Sequence, residues 1–285
     1  MPVRTVSAKV RAMTTLAAPA PSVTCLRTED VGHGVRVLTL DHPATRNALS
    51  LEMLDALGAA VMEAQDDSGV RVVVIAAEGP AFSSGHDLKQ LTRHREDIDA
   101  GRAYFDKTFA TCSAFMQSLV ALSKPVVAAV EGLAFAAGCQ LVATCDLAIA
   151  GDAARFCTPG VSIGLFCTTP MVGIVRNMPR KSAMEMLMTG EPIDAAEAQR
   201  IGLVNRVVPR GRARDEAIAL ATRIAARSAM TLATGKRAFY DGVDRPLADA
   251  YDRASRVMTE NMLADDAAEG IGAFIGKRAP VWRDR

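Results

Sequence analysis

The 285-residue chain lacks the features that would point to a nucleic acid, a bilayer or an oxidising compartment. Its 33 basic and 32 acidic residues leave a net charge of +1, so no strong field attracts nucleic acid or acidic lipid. Its six cysteines show no CxxC or Cys/His spacing, which predicts reduced thiols in a cytosol-like compartment rather than disulfides or metal ligands. The uncharged stretch 132–145 is shorter than the roughly 20 apolar residues that a membrane helix needs.

Acidic residues are also absent before Glu29, whereas Arg4, Lys9 and Arg11 precede it. This composition fits either a plain flexible tail over residues 1–20 or a mitochondrial presequence. The tail is the preferred interpretation, because the excess of arginine over lysine and the abundance of alanine are expected of a GC-rich bacterial genome, where no import signal is needed. The predicted location is therefore the cytoplasm, with the mitochondrial matrix as the alternative.

What the chain does contain is the patterning of an α/β protein with a helical end. β-Branched residues alternate with polar ones over 23–30 and 34–43, on either side of the turn "VGHG", which predicts two short strands. A helix over about 51–65 follows, with Ser50 as its N-cap. From Asp215 onward, apolar residues recur at three and four spacing without a convincing strand, which predicts a helical C-terminal extension of a single domain.

The middle of the chain shows a strand–turn–helix pattern twice. The runs 70–79 and 124–132 are continuously apolar and β-branched, which is typical of strands covered on both faces. Each leads into a glycine-containing turn, 84–86 or 136–138, and then a helix. Such a turn presents unpaired N–H groups at the positive end of a helix, so it can hold a negative oxygen. Two facing turns would form an oxyanion hole; alternatively, their small residues only allow close packing.

Five motifs occur in an order and spacing that resemble one known family. They are "HPATRNALS" (42–50), "GPAFSSGHDLKQL" (79–91), "GLAFAAGCQLVATCDLAIA" (132–150), "TGEPIDAAEAQRIGLVNRVVP" (189–209) and "EGIGAFIGKR" (269–278). Over about residues 22–280, the chain resembles the enoyl-CoA hydratase/isomerase (crotonase) superfamily. Within it, "TPGVSIGLFCTTP" (158–170) and "KRAPVW" (277–282) resemble the group called enoyl-CoA hydratase domain-containing proteins.

The resemblance implies an α/β crotonase (ClpP/crotonase-like) fold, which is a spiral of strand–strand–helix units with a C-terminal helical trimerisation region. It divides the chain into a flexible tail over 1–20, an acyl-CoA-binding core over 21–210 and a helical oligomerisation region over 211–285. The implied partner is an acyl-CoA thioester, bound by a homotrimer or homohexamer. No nucleic acid, membrane or metal is expected, and no cofactor other than the coenzyme A of the substrate.

The resemblance also assigns the site residues. The backbone N–H groups of His86 and Ala137 would hold the thioester oxygen, so the His86 side chain need not titrate in any role. Asp87 is in addition a predicted N-cap, with Gln90 three residues on, as in a capping box. For Arg46 and Lys277 the alternative is solvated surface charge, although Lys277 is expected at the phosphates, from this or a neighbouring subunit. The residues expected along coenzyme A are Thr45, Arg46, Ser84, His86, Asp87, Leu88 and Lys277.

The two glutamates of the family's hydratases are missing, since this chain has Gln140 and Gly160 in their positions. An amide exchanges no proton near neutral pH and glycine has no side chain, whereas acid–base groups typically contribute about 10² to 10⁴ each. Gln140 would orient a water or the thioester through its amide, or else tie down its helix. Ala137 stands in the place of the family's usual glycine. If its backbone were left-handed, the alanine side chain would cost about 1 kcal/mol.

Ser162 flanks the missing second glutamate, and with Cys157, Cys167 and Thr168 it is a candidate to line an acyl pocket. The stretch "GVSIG" (160–164) also matches the nucleophile elbow of serine hydrolases. All four histidines precede Ser162, which is opposite to the chain order that this triad requires. The hydrolase interpretation is therefore rejected.

The sequence thus predicts an enzyme of the enoyl-CoA hydratase/isomerase family, lyase-like in its class, in which efficient hydration is doubtful. It would polarise a thioester carbonyl through two backbone amides. The alternative is a catalytically silent protein that binds acyl-CoA or serves in assembly.

Overall fold

The computed structural model describes residues 25–285, so the tail predicted over 1–20 lies outside the described residues. The strands are β1 Leu26–Asp30, β2 Val35–Leu40, β3 Val72–Ala77, β4 Ala81–Ser83, β5 Val126–Val130, β6 Leu133–Phe135, β7 Leu147–Gly151, β8 Arg155–Cys157, β9 Ile193–Asp194 and β10 Arg206–Val208. The α-helices are α1 Leu51–Asp66, α2 Leu88–Arg93, α3 Arg102–Ala121, α4 Ala137–Thr144, α5 Thr168–Asn177, α6 Arg180–Thr189, α7 Ala195–Arg200, α8 Ala213–Ala225, α9 Ala229–Gly242, α10 Leu247–Met262 and α11 Asp265–Ile275.

The larger of two sheets has the strand order β1-β2-β3-β5-β7-β10. Only β1 pairs antiparallel, with β2, and the remaining pairs are parallel. This confirms the predicted hairpin from Leu26 onward, and β3 and β5 confirm the strands predicted over 70–79 and 124–132. All of β5 is buried, as its continuous apolar run requires of a strand covered on both faces.

Alternate residues of this sheet contribute to two separate hydrophobic cores. On one face Leu38, Ile75 and Ala128 pack with α1, α3 and the smaller sheet. On the other face Val37 and Val74 pack against α8. The contacting surface of α8 consists of four buried alanines at intervals of four residues, which allow the helix to approach the sheet closely: Ala213, Ala217, Ala221 and Ala225.

The smaller sheet corrects the prediction of strand–turn–helix units. Its order is β4-β6-β8-β9, and β4 pairs in parallel with β6. Each unit therefore contains a second strand of three residues before its helix, as the resemblance to the crotonase fold implies. Three residues are too few to show an alternating pattern, so these strands are recognisable only from their pairing partners.

Local capping hydrogen bonds start the helices where the sequence predicts. Ser50 Oγ accepts from Met53 N at 3.2 Å, which confirms the N-cap of α1. The Asp87 carboxylate accepts from the N–H groups of Lys89 and Gln90 at 2.9 and 3.1 Å. Gln90 does not complete the capping box, because its side chain donates to Glu52 at 3.3 Å instead.

The C-terminal helices confirm the predicted helical extension. A buried polar cluster joins α9 to the sheet: Lys236 Nζ donates to Leu119 O at 2.8 Å, Lys124 O at 3.0 Å and Asp146 Oδ2 at 2.7 Å. Tyr240 Oη donates to Asp146 Oδ1 at 2.8 Å. Among the described helices, none has both the length and the apolar composition to cross a bilayer.

Candidate active site

Two turns, one after β4 and one after β6, lie in direct contact. A β-carbon on Gly85 would lie 2.8 Å from the Ala136 β-carbon and 3.2 Å from Ala137 N. Gly85 also has φ of 87° and its carbonyl accepts from Leu49 N at 2.8 Å. Only glycine satisfies both the close approach and the positive φ. The contact brings the backbone of His86, the next residue, close to the start of α4.

The two predicted donors are backbone amides without an acceptor. Neither His86 N nor Ala137 N donates a hydrogen bond within residues 25–285, whereas the neighbouring Ala136 N donates to Cys157 O at 2.8 Å. Ala137 is the first residue of α4, where a backbone N–H has no acceptor inside the helix. The positive end of the helix dipole adds to the attraction for a negative oxygen at this point.

The backbone strain of the site lies at Ala136, not at Ala137 as predicted. Ala136 has φ of 49° and ψ of −118°, and it is the N-cap of α4. Ala137 begins the helix and needs no left-handed conformation. Since β6 ends at Phe135 and α4 begins at Ala137, one residue connects strand to helix, which places the unusual dihedral angles on the N-cap.

The structure brings together most of the residues expected along coenzyme A. Ser84 N donates to Arg46 O at 3.0 Å, and Ser84 Oγ donates to Thr45 O at 3.3 Å. Asp87 caps α2 directly beyond this contact, and the Leu88 side chain is exposed. The segments 45–46 and 84–88 therefore form one continuous surface beside the two free amides.

Lys277 is the exception. It follows α11, which packs mainly against α10, and its backbone has φ of 51°. Its side chain is exposed and makes no hydrogen bond or ion pair in the described part of the chain. No hydrogen bond or ion pair joins Lys277 to the other expected coenzyme A residues within 25–285, so its delivery by a neighbouring subunit stays a prediction.

Gln140 lies on α4, one turn beyond Ala137, and is only 4% exposed. Its side-chain Oε1 is buried without a hydrogen-bond partner. The backbone carbonyl of Gln140 accepts from Thr144 Oγ1 at 2.8 Å, but the amide side chain ties down no other element among the described residues. The structure thus favours a free amide over a structural one.

Main chain and sulfur surround Gly160, the residue predicted to stand in the place of a second glutamate. Gly160 lies in the 3-10 helix Pro159–Ile163, and a β-carbon there would lie 2.6 Å from Leu165 O and 2.8 Å from Cys167 Sγ. Burial raises the pKa of the Cys167 thiol and raises that of Cys157 to about 11, so both are protonated near pH 7. The sequence shows the glycine at residue 160 but not the Leu165 and Cys167 atoms that surround it.

Ser162 is exposed in the same 3-10 helix, rather than at a turn between a strand and an α-helix. This geometry differs from a nucleophile elbow and agrees with rejecting the hydrolase interpretation. No group of three or more His, Cys, Asp or Glu side chains is placed to hold a metal ion within residues 25–285.

The His86 side chain has a defined environment that sequence reasoning missed. Its Nδ1 lies 3.0 Å from Leu49 O, and its ring packs edge-on against Phe109 with 5.4 Å between centroids. Its Nε2 is buried without a partner. Burial lowers the pKa of His86 below 6.5, against the opposing effect of the Leu49 hydrogen bond. No local sequence signal reveals these contacts, because Leu49 lies 37 residues away.

The spiral of strand–strand–helix units and the paired turns define a crotonase fold, which confirms the fold class implied by the motifs. The model of the enoyl-CoA hydratase/isomerase family matches residues 30–285. The chain therefore belongs to the enoyl-CoA hydratase/isomerase family.

Within the family, the chain is similar to the mitochondrial enoyl-CoA hydratase domain-containing protein 3 of Rattus norvegicus, at 48% identity over 262 residues, 92% of this chain and 85% of the relative. The crystal structure of human enoyl-CoA hydratase domain-containing protein 3 is 45% identical with a TM-score of 0.86, covering 90% of this chain and 100% of that chain. An enoyl-CoA hydratase from Mycobacterium smegmatis is 44% identical with a TM-score of 0.85, covering 90% and 98%. These similarities confirm the resemblance to the enoyl-CoA hydratase domain-containing group, and specifically to its third member.

Proposed function

We propose that this family member binds an acyl-CoA thioester and stabilises negative charge on the thioester oxygen with the backbone N–H groups of His86 and Ala137. The observation that carries the proposal is the pair of adjacent amides without acceptors, one of them at the start of α4. One donor of this kind can contribute about 10² to 10³ to a rate. Coenzyme A would lie along the surface formed by 45–46 and 84–88, as part of the substrate and not as a separate cofactor.

Hydration of a 2-enoyl thioester would be weak at most. Adding water across a double bond requires a group that takes a proton from water and one that delivers a proton to carbon. The amide of Gln140 does neither near neutral pH, and the second position is filled by Leu165 O and Cys167 Sγ. The proposed activity is therefore an altered one within the enoyl-CoA hydratase/isomerase family, on an acyl-CoA of unassigned chain.

The same two positions support a second candidate, a protein that binds acyl-CoA without turnover. Both candidates are tested by an assay with crotonyl-CoA and by calorimetry with 2-oxopentyl-CoA, an unreactive thioether analogue of butyryl-CoA that keeps the carbonyl and has a CH₂ group between it and the sulfur. We expect binding, and hydration well below the ordinary range of about 1 to 10³ per second. Turnover in that range would contradict the interpretation of Gln140 and Gly160. Absence of binding would contradict both candidates.

Gly160 provides a structural test of the filled second position. Gly160→Ala should lower the free energy of unfolding by about 1 to 3 kcal/mol, because its β-carbon meets a backbone carbonyl that cannot move freely. Urea unfolding measures the loss. Gly235→Ala is the matched control: it lies in α9 with nothing within 4 Å of the added carbon, and it should gain up to about 1 kcal/mol. Equal effects of the two changes would show that the space at residue 160 is open.

For the location of the protein, the animal relatives are named as mitochondrial proteins, which favours the mitochondrial alternative over the cytoplasm predicted first. The basic segment on which this question depends lies before residue 25, outside the described residues. Fusing residues 1–24 to a fluorescent protein tests it: import into mitochondria would support the presequence, and diffuse fluorescence the plain tail.

A further inference from the structure

Two of the three buried side-chain atoms that lack a hydrogen-bond partner belong to the candidate site. Among the residues that the structure describes, these atoms are Thr39 Oγ1, His86 Nε2 and Gln140 Oε1. Thr39 lies in β2 of the large sheet, whereas His86 and Gln140 belong to the turn and the helix that carry the free amides. Buried polar atoms without partners are uncommon and call for an explanation such as a catalytic role.

The hydrogen bond of the His86 ring fixes its tautomer. A carbonyl oxygen only accepts, so Nδ1 must carry the hydrogen that it donates to Leu49 O at 3.0 Å. The neutral ring then has its lone pair on Nε2, the buried atom without a partner. A neutral imidazole held by one nitrogen, with a lone pair on the other, has the arrangement of a general base.

The surroundings keep this ring uncharged and positioned. Burial is the main cause that lowers the pKa of His86, and no charged side chain contributes to the shift. The imidazole is therefore neutral at pH 7. Phe109 packs edge-on against the ring and is itself 39% exposed.

We propose that the side chain of His86 is the proton acceptor of this site, in place of the family's missing glutamates. The inference rests on the proposed binding of acyl-CoA. The same residue would supply an oxyanion donor through its amide, so the unpartnered ring nitrogen and the donor of the thioester oxygen belong to one residue. With His86 in this role, the site has a base although both of the family's glutamates are missing.

The proton transfer that follows is balanced without a further reactant. Nε2 takes a proton from the α-carbon of the acyl chain. The electron pair of that C–H bond forms the enolate C=C bond, and the thioester oxygen takes the negative charge between the amides of His86 and Ala137. The imidazolium then returns the proton to the α-carbon, or to the γ-carbon of a 3-enoyl chain, which moves the double bond into conjugation.

The test is exchange of the α-protons of butyryl-CoA in D₂O, followed by mass spectrometry with the full chain. His86→Gln keeps both the backbone amide and a side-chain donor for Leu49 O. It should lower the exchange rate by about 10² or more while binding of the unreactive thioether, measured by calorimetry, stays the same. His94→Gln is the matched control, since that ring stacks on Tyr104 at 3.6 Å and pairs with Asp97 away from the site. The His94→Gln variant should exchange the α-protons of butyryl-CoA at the rate of the parent chain.

A second variant, His86→Ala, distinguishes a His86 ring that accepts a proton from one that only packs. Added imidazole should restore part of the exchange in His86→Ala, because free imidazole replaces a proton acceptor but not a packing contact. Equal exchange by His86→Gln and the parent chain, or no exchange by a parent chain that binds the thioether, would overturn the inference and leave the proposed function standing. A parent chain that fails to bind the thioether would overturn both.

Discussion

Ala136 is the residue at which the site stores backbone strain. Its φ of 49° and ψ of −118° lie outside the regions that L-residues ordinarily occupy, at a cost on the order of 1 to 3 kcal/mol. Its backbone is held by the hydrogen bond from Ala136 N to Cys157 O and by the helix that follows. The strain aligns the first amide of α4 with the turn that contains Gly85.

Replacing Ala136 by glycine should therefore stabilise the fold. Relief of the strain exceeds the roughly 0.5 to 1 kcal/mol that glycine costs through the unfolded chain, so we expect a net gain of about 1 kcal/mol in urea unfolding. Ala137→Gly is the control and should destabilise, because Ala137 is buried and helical. A loss of stability in Ala136→Gly would show that the alanine side chain contributes more packing than the strain costs.

At the scale of elements, α11 is tied to the C-terminal tail by carboxylates that accept backbone and guanidinium hydrogens. Glu269 accepts from Arg278 at 2.6 and 2.7 Å and from Val281 N at 2.8 Å. The Asp266 carboxylate accepts from the backbone N–H groups of Arg283 and Asp284, close to the C-terminus. The tail thereby folds back along its own helix, and Trp282 Nε1 reaches Ala226 O at 3.0 Å.

This tail should detach in acid. The Arg278 hydrogen bonds, followed by the Val281 N–H, lower the pKa of Glu269 from 4.5 to about 2. A carboxyl whose pKa is lower in the folded state stabilises that state fully above its unfolded pKa, and the contribution disappears as the pH falls toward the folded value. The contribution of Glu269 is therefore lost between about pH 4.5 and 2. Asp284, whose pKa is lowered first by the Arg71 hydrogen bond, changes stability in the same direction.

The fluorescence of Trp282, the one tryptophan of the chain, measures this detachment. In the parent chain we expect the emission to shift as the pH falls from 4.5. Glu269→Gln should show the shifted emission already at pH 7, whereas Glu260→Gln, on an exposed glutamate of α10 without an ion pair in the described residues, should behave like the parent. Identical acid titrations of all three chains would show that Glu269 does not hold the tail.

At the scale of the whole molecule, α10 presents an apolar face without a partner among the described residues. Leu247, Tyr251, Met258 and Met262 lie at intervals of four, seven and four residues, which places them on one side of the helix, and they are 57–75% exposed. Exposed apolar patches of this kind mark protein–protein interfaces. The face is consistent with the predicted homotrimer or homohexamer.

We expect the chain to elute as a trimer or hexamer in size-exclusion chromatography with light scattering. Tyr251→Lys combined with Met258→Lys should give a monomer, because two charges on the apolar face cannot be desolvated without partners. Glu260→Lys, on the opposite side of α10, should leave the oligomer intact. A double variant that still elutes with the parent mass would place the interface elsewhere.

Features that depend on neighbouring residues could be predicted from the sequence. The N-caps Ser50 and Asp87 act on amides two or three residues away, and the buried strands β3 and β5 show their continuous apolar runs directly. The amide at residue 140 is equally visible, and its assignment to a glutamate position of the family stays a prediction from the five ordered motifs. By contrast, residue patterning missed the strands β4 and β6, which only the family resemblance implied, because each needs the other to form.

The sequence by itself determined the family, the buried strands β3 and β5, the helical C-terminal end, and the presence of an amide and a glycine at residues 140 and 160, because these follow from residue type and short-range spacing. Only the tertiary structure decided that strain falls on Ala136, that Leu165 O and Cys167 Sγ fill the place beside Gly160, and that the His86 ring is held by Leu49 O. The physical reason is that each of these depends on atoms from separate segments, and only folding sets the distances between them.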